Sequence, residues 1–391
     1  MAITDKKTGP WGLDQVYNKI NQGSIWSYTG PSSDWNKLYF WGFSGQGNAA
    51  NNATSPTYFS SPVQIAGSWK QYSQGAQNGG GIKTDGTRWA WGANDYGGLG
   101  LNDRTYRSSP TQVPGTWAGL NHAIYNTYAV NTDGELWVQG YNNSGCLGQG
   151  NETKYSSPVQ VPGTTWSGAI GHITGGYNTT GAIKTNGTLW MWGRNENGQL
   201  GHNNLTELNS PVQVPGTNWS YIKTNYDSCF AIKTDGTLWA WGQNRDGCYG
   251  NNTADGTRVS SPIQIPGTTC KSIAGTFGRN TAATKTDGTL WTWGGSHYGA
   301  LGQNSPDDTK LSSPTQIPGT TWDIVRANSN KYLATKTDGT LWGWGRNQGG
   351  QIGANTAQTV SSPIQVPGAD WNITNLNSGA YNGSFGAGFK L

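Results

Sequence analysis

One phrase, Ile183 to Gly193, recurs along this chain and limits its fold more than any other feature. Copies run from Ile82 to Gly92, Ile232 to Gly242, Thr284 to Gly294 and Thr335 to Gly345, with a worn copy from Val130 to Gly140. Each sets Asp-Gly or Asn-Gly between two runs of strand-forming residues, a strong hairpin signal because a tight turn needs positive φ at its centre. The pattern predicts one two-stranded hairpin per copy, closed by a primed turn. A second phrase follows each hairpin, as in Ser210 to Gly216: Ser-Pro, alternating apolar and polar residues, then Gly. It predicts a third, shorter strand.

The hairpin glycines fall at 86, 134, 187, 236, 288 and 339, and the Ser-Pro prolines at 62, 110, 158, 211, 262, 314 and 363. A period of about 50 residues is that of a propeller blade. From Asn36 the repeat opens in mid-unit, because Lys37 to Gly42 matches a second hairpin strand that has no first. The missing strand is Gly388 to Leu391, which matches the opening of the other hairpins. Pairing the two would remove an exposed sheet edge. The expectation is an all-β, seven-bladed β-propeller over residues 36–391, its ring closed by pairing of the C-terminal strand with the first blade. An extension over residues 1–35 precedes it, where Leu13, Val16, Tyr17 and Ile20 have helical spacing. A plug on the propeller and an attachment segment are both open readings of it.

Only 12% of residues are charged, yet 12% are aromatic and 21 are Trp, so the chain is not of the disordered class. In Leu189-Trp190-Met191-Trp192 alternation puts both tryptophans on one side of the strand. The series Trp41, Trp89, Trp91, Trp190, Trp192, Trp239, Trp241, Trp291, Trp293, Trp342 and Trp344 is therefore expected to fill the layers between blades.

Several function classes are excluded. The net charge is +4 and the basic residues are spread over the repeats, so no nucleic-acid stripe forms. No run nears the ~20 apolar residues of a membrane span, and no signal-peptide core follows Met1 to Lys7. The cysteines 146, 229, 248 and 270 have neither disulfide nor zinc spacing and read as free structural thiols, Cys270 as a buried replacement for Trp. His122, His172, His202 and His297 sit at non-equivalent positions and read as solvated loop residues. The Asp307-Asp308 pair reads as solvation, and no nucleophile, base and orienting group can be nominated. No cofactor, no metal and no enzymatic activity are expected.

Trp192 to Gly201, with variants at Trp91 to Gly100 and Trp344 to Gly353, spells Trp-Gly-x-Asn-x-x-Gly-Gln-Leu-Gly. With the Ser-Pro-x-Gln strand, this pattern resembles the regulator of chromosome condensation repeat family. The resemblance implies a seven-bladed propeller with about four strands per blade. Departures are Gln139 for the second Trp of one repeat and Ala66 for a Pro. The family's founding member exchanges nucleotide on a small GTPase through a basic tail and a protruding loop, and this chain has neither. Fold does not fix function here.

The opening phrase Gly9 to Tyr17 resembles that of repeat-containing structural proteins in marine tailed bacteriophages. The expectation is a virion protein of the tail or tail tip. Its partners would be other virion proteins and a host-surface glycan or receptor. A bacterial adhesin or lectin-like propeller at the cell surface is the alternative, and an intracellular protein-interaction scaffold is a further one. Candidate binding residues lie just ahead of the hairpins: Asn78, Asn126, Asn178, Asp227, Asn330 and Asn382, with Arg279 or Asn280 in the sixth full repeat. Tyr125, Tyr177, Tyr226 and Tyr381 lie beside them. Short polar residues there serve either their own turns or a polar ring with aromatic faces for a sugar or a partner's tip.

Overall fold

The computed structural model describes residues 37–50, 52, 57–267, 269–276, 279–378 and 385–390. The helical spacing near the N-terminus, Tyr381 and Asn382 lie outside them. The described chain is all β, apart from two short 3-10 turns at Asn143–Gly145 and His297–Gly299. Its strands form five four-stranded sheets and one of eight strands.

One unit shows the plan. Trp219–Thr224, Ser228–Lys233, Leu238–Gln243 and Arg258–Gln264 pair antiparallel in sequence order. The middle two strands are the predicted hairpin and the fourth is the Ser-Pro strand. The first, opening at Trp219, is the strand that the repeat phrases left unmarked. In the eight-stranded sheet two such units are joined, because one 16-residue strand, Arg107–His122, ends one unit and begins the next. The chain's two ends share a sheet: Lys37–Ser44 pairs with Phe385–Lys390, and Leu38 stands opposite Phe389. That register puts the missing hairpin strand where the sequence placed it.

The hairpin turn is not a primed one. Gly236 has a φ of 79°, but none of the Asp or Asn residues before the hairpin glycines has positive φ. Gly236 N–H donates to the Lys233 carbonyl, and Lys233 N–H to the Thr237 carbonyl. This is a three-residue loop that ends on a left-handed glycine. The Asp side chain favours it: Asp235 Oδ1 accepts Thr237 N–H at 2.9 Å and the Thr237 hydroxyl at 2.6 Å, and Trp239 Nε1 donates to that hydroxyl at 3.0 Å. The same relay runs through Asp85-Thr87-Trp89, Asn186-Thr188-Trp190, Asp287-Thr289-Trp291 and Asp338-Thr340-Trp342.

The paired tryptophans divide in role. Trp89, Trp190, Trp239, Trp291 and Trp342, next to the turns, are half-buried. A hairpin lysine covers each, such as Lys233 at 4.3 Å from the Trp239 ring. The second members, with Trp41, are buried between units, and each donates its indole N–H to a carbonyl of the unit before: Trp91 to Asn48, Trp192 to Cys146, Trp241 to Gln199, Trp293 to Cys248 and Trp344 to Ala300. Trp41 donates to Gln351, 310 residues along the chain. Gln139, which replaces this Trp in one repeat, keeps the link through Nε2 to the Gly98 carbonyl at 3.4 Å. The closing glycine of the long motif makes room for the ring, since a Cβ on Gly201 would stand 3.0 Å from Trp241 Nε1. The expected inter-blade series thus splits by depth: the second members are buried between units, and the first members pack half-buried against the same clusters.

The core is accordingly a row of separate clusters. One joins Leu189, Met191, Leu200 and Val214 of one unit to Trp219, Ile222 and Trp241 of the next. Replacing Trp241 by Ala is expected to cost about 3–5 kcal/mol, the usual loss for a large buried aromatic. Trp239→Ala should cost about 1–2 kcal/mol, because a half-exposed ring loses less burial and one cation contact. Denaturant melts of the two variants check this, and equal losses would contradict the division.

Candidate functional site

Register sets out two faces. In each hairpin the turn lies at one end, and the loops that enter the first hairpin strand and leave the second lie together at the other. At that end Ala93 N–H bonds the Gln77 carbonyl, Tyr141 the Tyr125, Arg194 the Asn178, Gln243 the Asp227 and Arg346 the Asn330 carbonyl. The long loops leaving the hairpins are stitched by the motif's Asn. Asn195 Nδ2 donates to the carbonyls of Asn204 and Thr206, and its Oδ1 accepts Leu200 N–H. Asn94, Asn142 and Asn244 do the same in their units, and Asn347 Nδ2 donates to the Thr356 carbonyl while its Oδ1 accepts Ile352 N–H. These loops are thus held as fixed platforms.

The predicted polar residues divide by depth. Asn78, Asn126 and Asp227 are buried, while Asn178 and Asn330 are half-buried. Asn126 Nδ2 is spent on the Tyr128 hydroxyl at 3.2 Å and Cys146 Sγ at 3.3 Å. Asn280 is fully buried, accepts from the Tyr332 hydroxyl and donates to the Gly295 carbonyl. Asn178 has a φ of 59° and Arg279 of 63°, so both positions serve tight turns.

The tyrosines come together. Tyr96, Tyr125 and Tyr141 form one cluster with ring centroids 4.8–5.9 Å apart, and the Lys154 ammonium lies 4.9 Å from the Tyr141 ring. Tyr125 is 42% exposed. Tyr177 and Tyr226 stack at 4.6 Å with 21° between planes, and the Arg194 guanidinium lies 5.6 and 5.9 Å from the two rings. A chain of charges continues the arc. Asp227 faces Arg245 at 3.1 Å and Arg194 at 3.6 Å. Asp246 faces Lys310 at 2.6 Å, Arg279 at 3.6 Å and His297 at 3.7 Å. Burial pushes the Asp227 carboxyl up, and the guanidiniums of Arg245 and Arg194 pull it back. A cleft of about 440 Å³ opens among Arg194, Asn225, Tyr226, Asp227, Arg245 and Arg279.

Of these, Tyr96, Tyr141, Arg194 and Arg245 are missed by the sequence reading. The variable positions of Trp-Gly-x-Asn-x-x-Gly signal them: Tyr141 and Arg194 stand just after the Trp-Gly site, and Arg245 and Tyr96 at the two positions after the Asn.

Among the described residues no group of His, Cys, Asp and Glu could hold a metal ion, and no helix is long and apolar enough to cross a membrane. The four cysteines are free; Cys270 is half-buried rather than buried, at the start of its strand and opposite Lys285. His122 is fully buried rather than solvated, and burial holds its imidazole well below the usual range. It ends the strand shared by two units, a place that its loop-like sequence neighbourhood hides. Inner strands carry further buried cations. Burial pulls Lys223 down to about 8 and Lys331 to about 7, and Arg326 bonds the carbonyls of Thr374 and Leu376.

The model of the regulator of chromosome condensation (RCC1) repeat matches residues 85–118, 133–183, 186–232, 287–327 and 338–381, more than half of the chain. A second model of the same repeat matches residues 172–199. Among curated proteins, the Protein RCC2 homolog of Danio rerio is 26% identical over 176 residues, covering 44% of this chain and 26% of that protein. The Ultraviolet-B receptor UVR8 of Arabidopsis thaliana is 27% identical over 178 residues, 44% of this chain and 40% of that protein. The E3 ubiquitin-protein ligase HERC2 of Homo sapiens is 24% identical over 190 residues, 48% of this chain and 3% of that protein. The chain therefore spans less than half the length of each. Among solved structures, Prp20p from Saccharomyces cerevisiae superposes with a TM-score of 0.76 at 21% identity, over 91% of this chain and 92% of that one. Human WBSCR16 gives 0.77 at 19% identity, over 91% and 99%. The fold is shared with both.

Proposed function

This chain belongs to the regulator of chromosome condensation repeat family, and from that premise we propose that it is a non-enzymatic binding propeller of a tailed-phage virion, acting in assembly and host-surface contact. In this reading seven four-stranded units close into one ring. Three features support closure: the pairing of Lys37–Ser44 with Phe385–Lys390, the Trp41 bond to Gln351, and Arg326, which ties strand Trp322–Asn328 to the carbonyls of Thr374 and Leu376. The segment Leu376–Ser378 in turn lies parallel to Trp69–Gln74.

The observation that carries the binding reading is the tyrosine–arginine arc, in which Tyr96, Tyr141, Arg194 and Arg245 stand on loops locked by buried asparagines and Tyr125, Tyr177 and Tyr226 on the loops beside them. Tyrosine and arginine are the side chains most enriched where surfaces bind, because they offer a large contact area with a polar tip. A rigid scaffold that presents them on loops is suited to recognition. The virion reading rests on the resemblance of Gly9 to Tyr17 to phage structural proteins. Mass spectrometry of purified particles is expected to find this chain in fixed stoichiometry to the tail proteins. A chain absent from particles and present in a bacterial envelope fraction would replace this reading with the adhesin.

A further inference from the structure

We propose that the cleft between Arg194, Arg245 and Arg279 is a binding site for a carboxylate-bearing sugar residue, the acidic unit of a surface polysaccharide. The proposal rests on the host-contact reading for its setting, and on the geometry of the cleft for its chemistry.

The cleft is lined by three guanidiniums and one carboxylate, Asp227, which is 4% exposed. Asp227 faces two of the arginines, so among the lining residues three guanidiniums stand against one carboxylate, while Glu196 and Asp246 hold Arg194 and Arg279 from outside the lining. A planar guanidinium matches a carboxylate in two-point geometry, and one already held by an ion pair and an aromatic stack loses little freedom on binding. Arg194 is held in both ways, by Asp227 and by the Tyr177–Tyr226 pair.

A second observation points to a ligand with hydroxyl groups. Asn225 lines the cleft and is 4% exposed, yet neither its Oδ1 nor its Nδ2 has a hydrogen-bond partner. A buried primary amide offers donors and an acceptor side by side, a set that neighbouring sugar hydroxyls can satisfy. Gly275 lets the amide stand there, because a Cβ at that position would lie 2.4 Å from Asn225 Oδ1. The Tyr226 ring supplies an apolar wall for a sugar face. About 440 Å³ lies within the range of a small-ligand site.

Calorimetric titration of the full chain with trigalacturonate tests the site, against its neutral methyl ester, inorganic phosphate and a short polyglutamate peptide. Trigalacturonate should bind at least tenfold tighter than the ester, the phosphate or the peptide. Arg245→Gln and Arg279→Gln should each weaken it about tenfold, and Asn225→Ala severalfold. Arg279 has 45% of its side chain exposed, so its variant should keep the parent melting temperature and separate lost binding from lost folding. Equal binding of the ester, or no binding of trigalacturonate, would overturn the proposal. Phosphate bound as tightly would make the cleft a general anion trap, and a tighter peptide would make it a protein-docking site; either result overturns the sugar. These readouts use the isolated chain. A cleft that fails here while particle adsorption still depends on this face would sink the ligand class and leave host contact standing.

Discussion

Deletion of residues 385–391 is expected to leave a chain that aggregates and melts at least about 5 °C below the parent. The strand Phe385–Lys390 is paired on both sides, with Lys37–Gly42 and with Trp371–Asn372. It brings Phe389, 2% exposed, and Ala387, 3% exposed, into a cluster with Trp41 and Trp371. Loss of one buried phenylalanine costs about 3–5 kcal/mol, and the vacated ladder adds to it. Some 5 kcal/mol is comparable to the whole stability of many domains, and for a chain this long it corresponds to a drop of several degrees. The deletion also bares two strand edges beside exposed tryptophan, a template for pairing with other chains. Light scattering and a thermal melt read both effects. A truncated chain that stays monomeric with an unchanged melting temperature would show that the seam is not where the ends meet.

Much of this fold was legible because its signals repeat. Asp-Gly or Asn-Gly at steady spacing located the six continuous hairpins, and the half-unit at Lys37 pointed to its partner near the C-terminus. The turn type was not legible, since a left-handed glycine suits both a primed turn and a three-residue loop. What decides is the Asp235 carboxylate reaching over to Thr237, a contact that the dipeptide alone does not specify. The division of the tryptophan pairs was hidden for a related reason. Alternation puts Trp239 and Trp241 on one side of the strand, but only their distance from the turn separates a ring under Lys233 from one between units.

The site was half legible. Tyr125, Tyr177 and Tyr226 could be named from their place ahead of the hairpins, and the fold brings them into two aromatic groups. The arginines could not be paired with their carboxylates, because Arg279 meets Asp246 and Arg194 meets Asp227 across different units. Such contacts depend on how units are set side by side, and no single repeat encodes that. Buried Asn126 shows the converse, since a polar residue in a loop position turns inward to a tyrosine hydroxyl and a thiol.

Host adsorption by particles that carry Tyr125→Ser and Tyr226→Ser tests the central claim most directly. Tyr125 is 42% exposed and Tyr226 half-buried, and both belong to the arc on the loop face opposite the hairpin turns. Loss of a central aromatic anchor costs a binding surface about 2 kcal/mol or more, which is more than tenfold in affinity. The account predicts an adsorption rate at least about tenfold lower, with particle yield and the melting temperature of the isolated chain unchanged. Adsorption equal to that of parent particles would contradict it, and would take host contact away from this face.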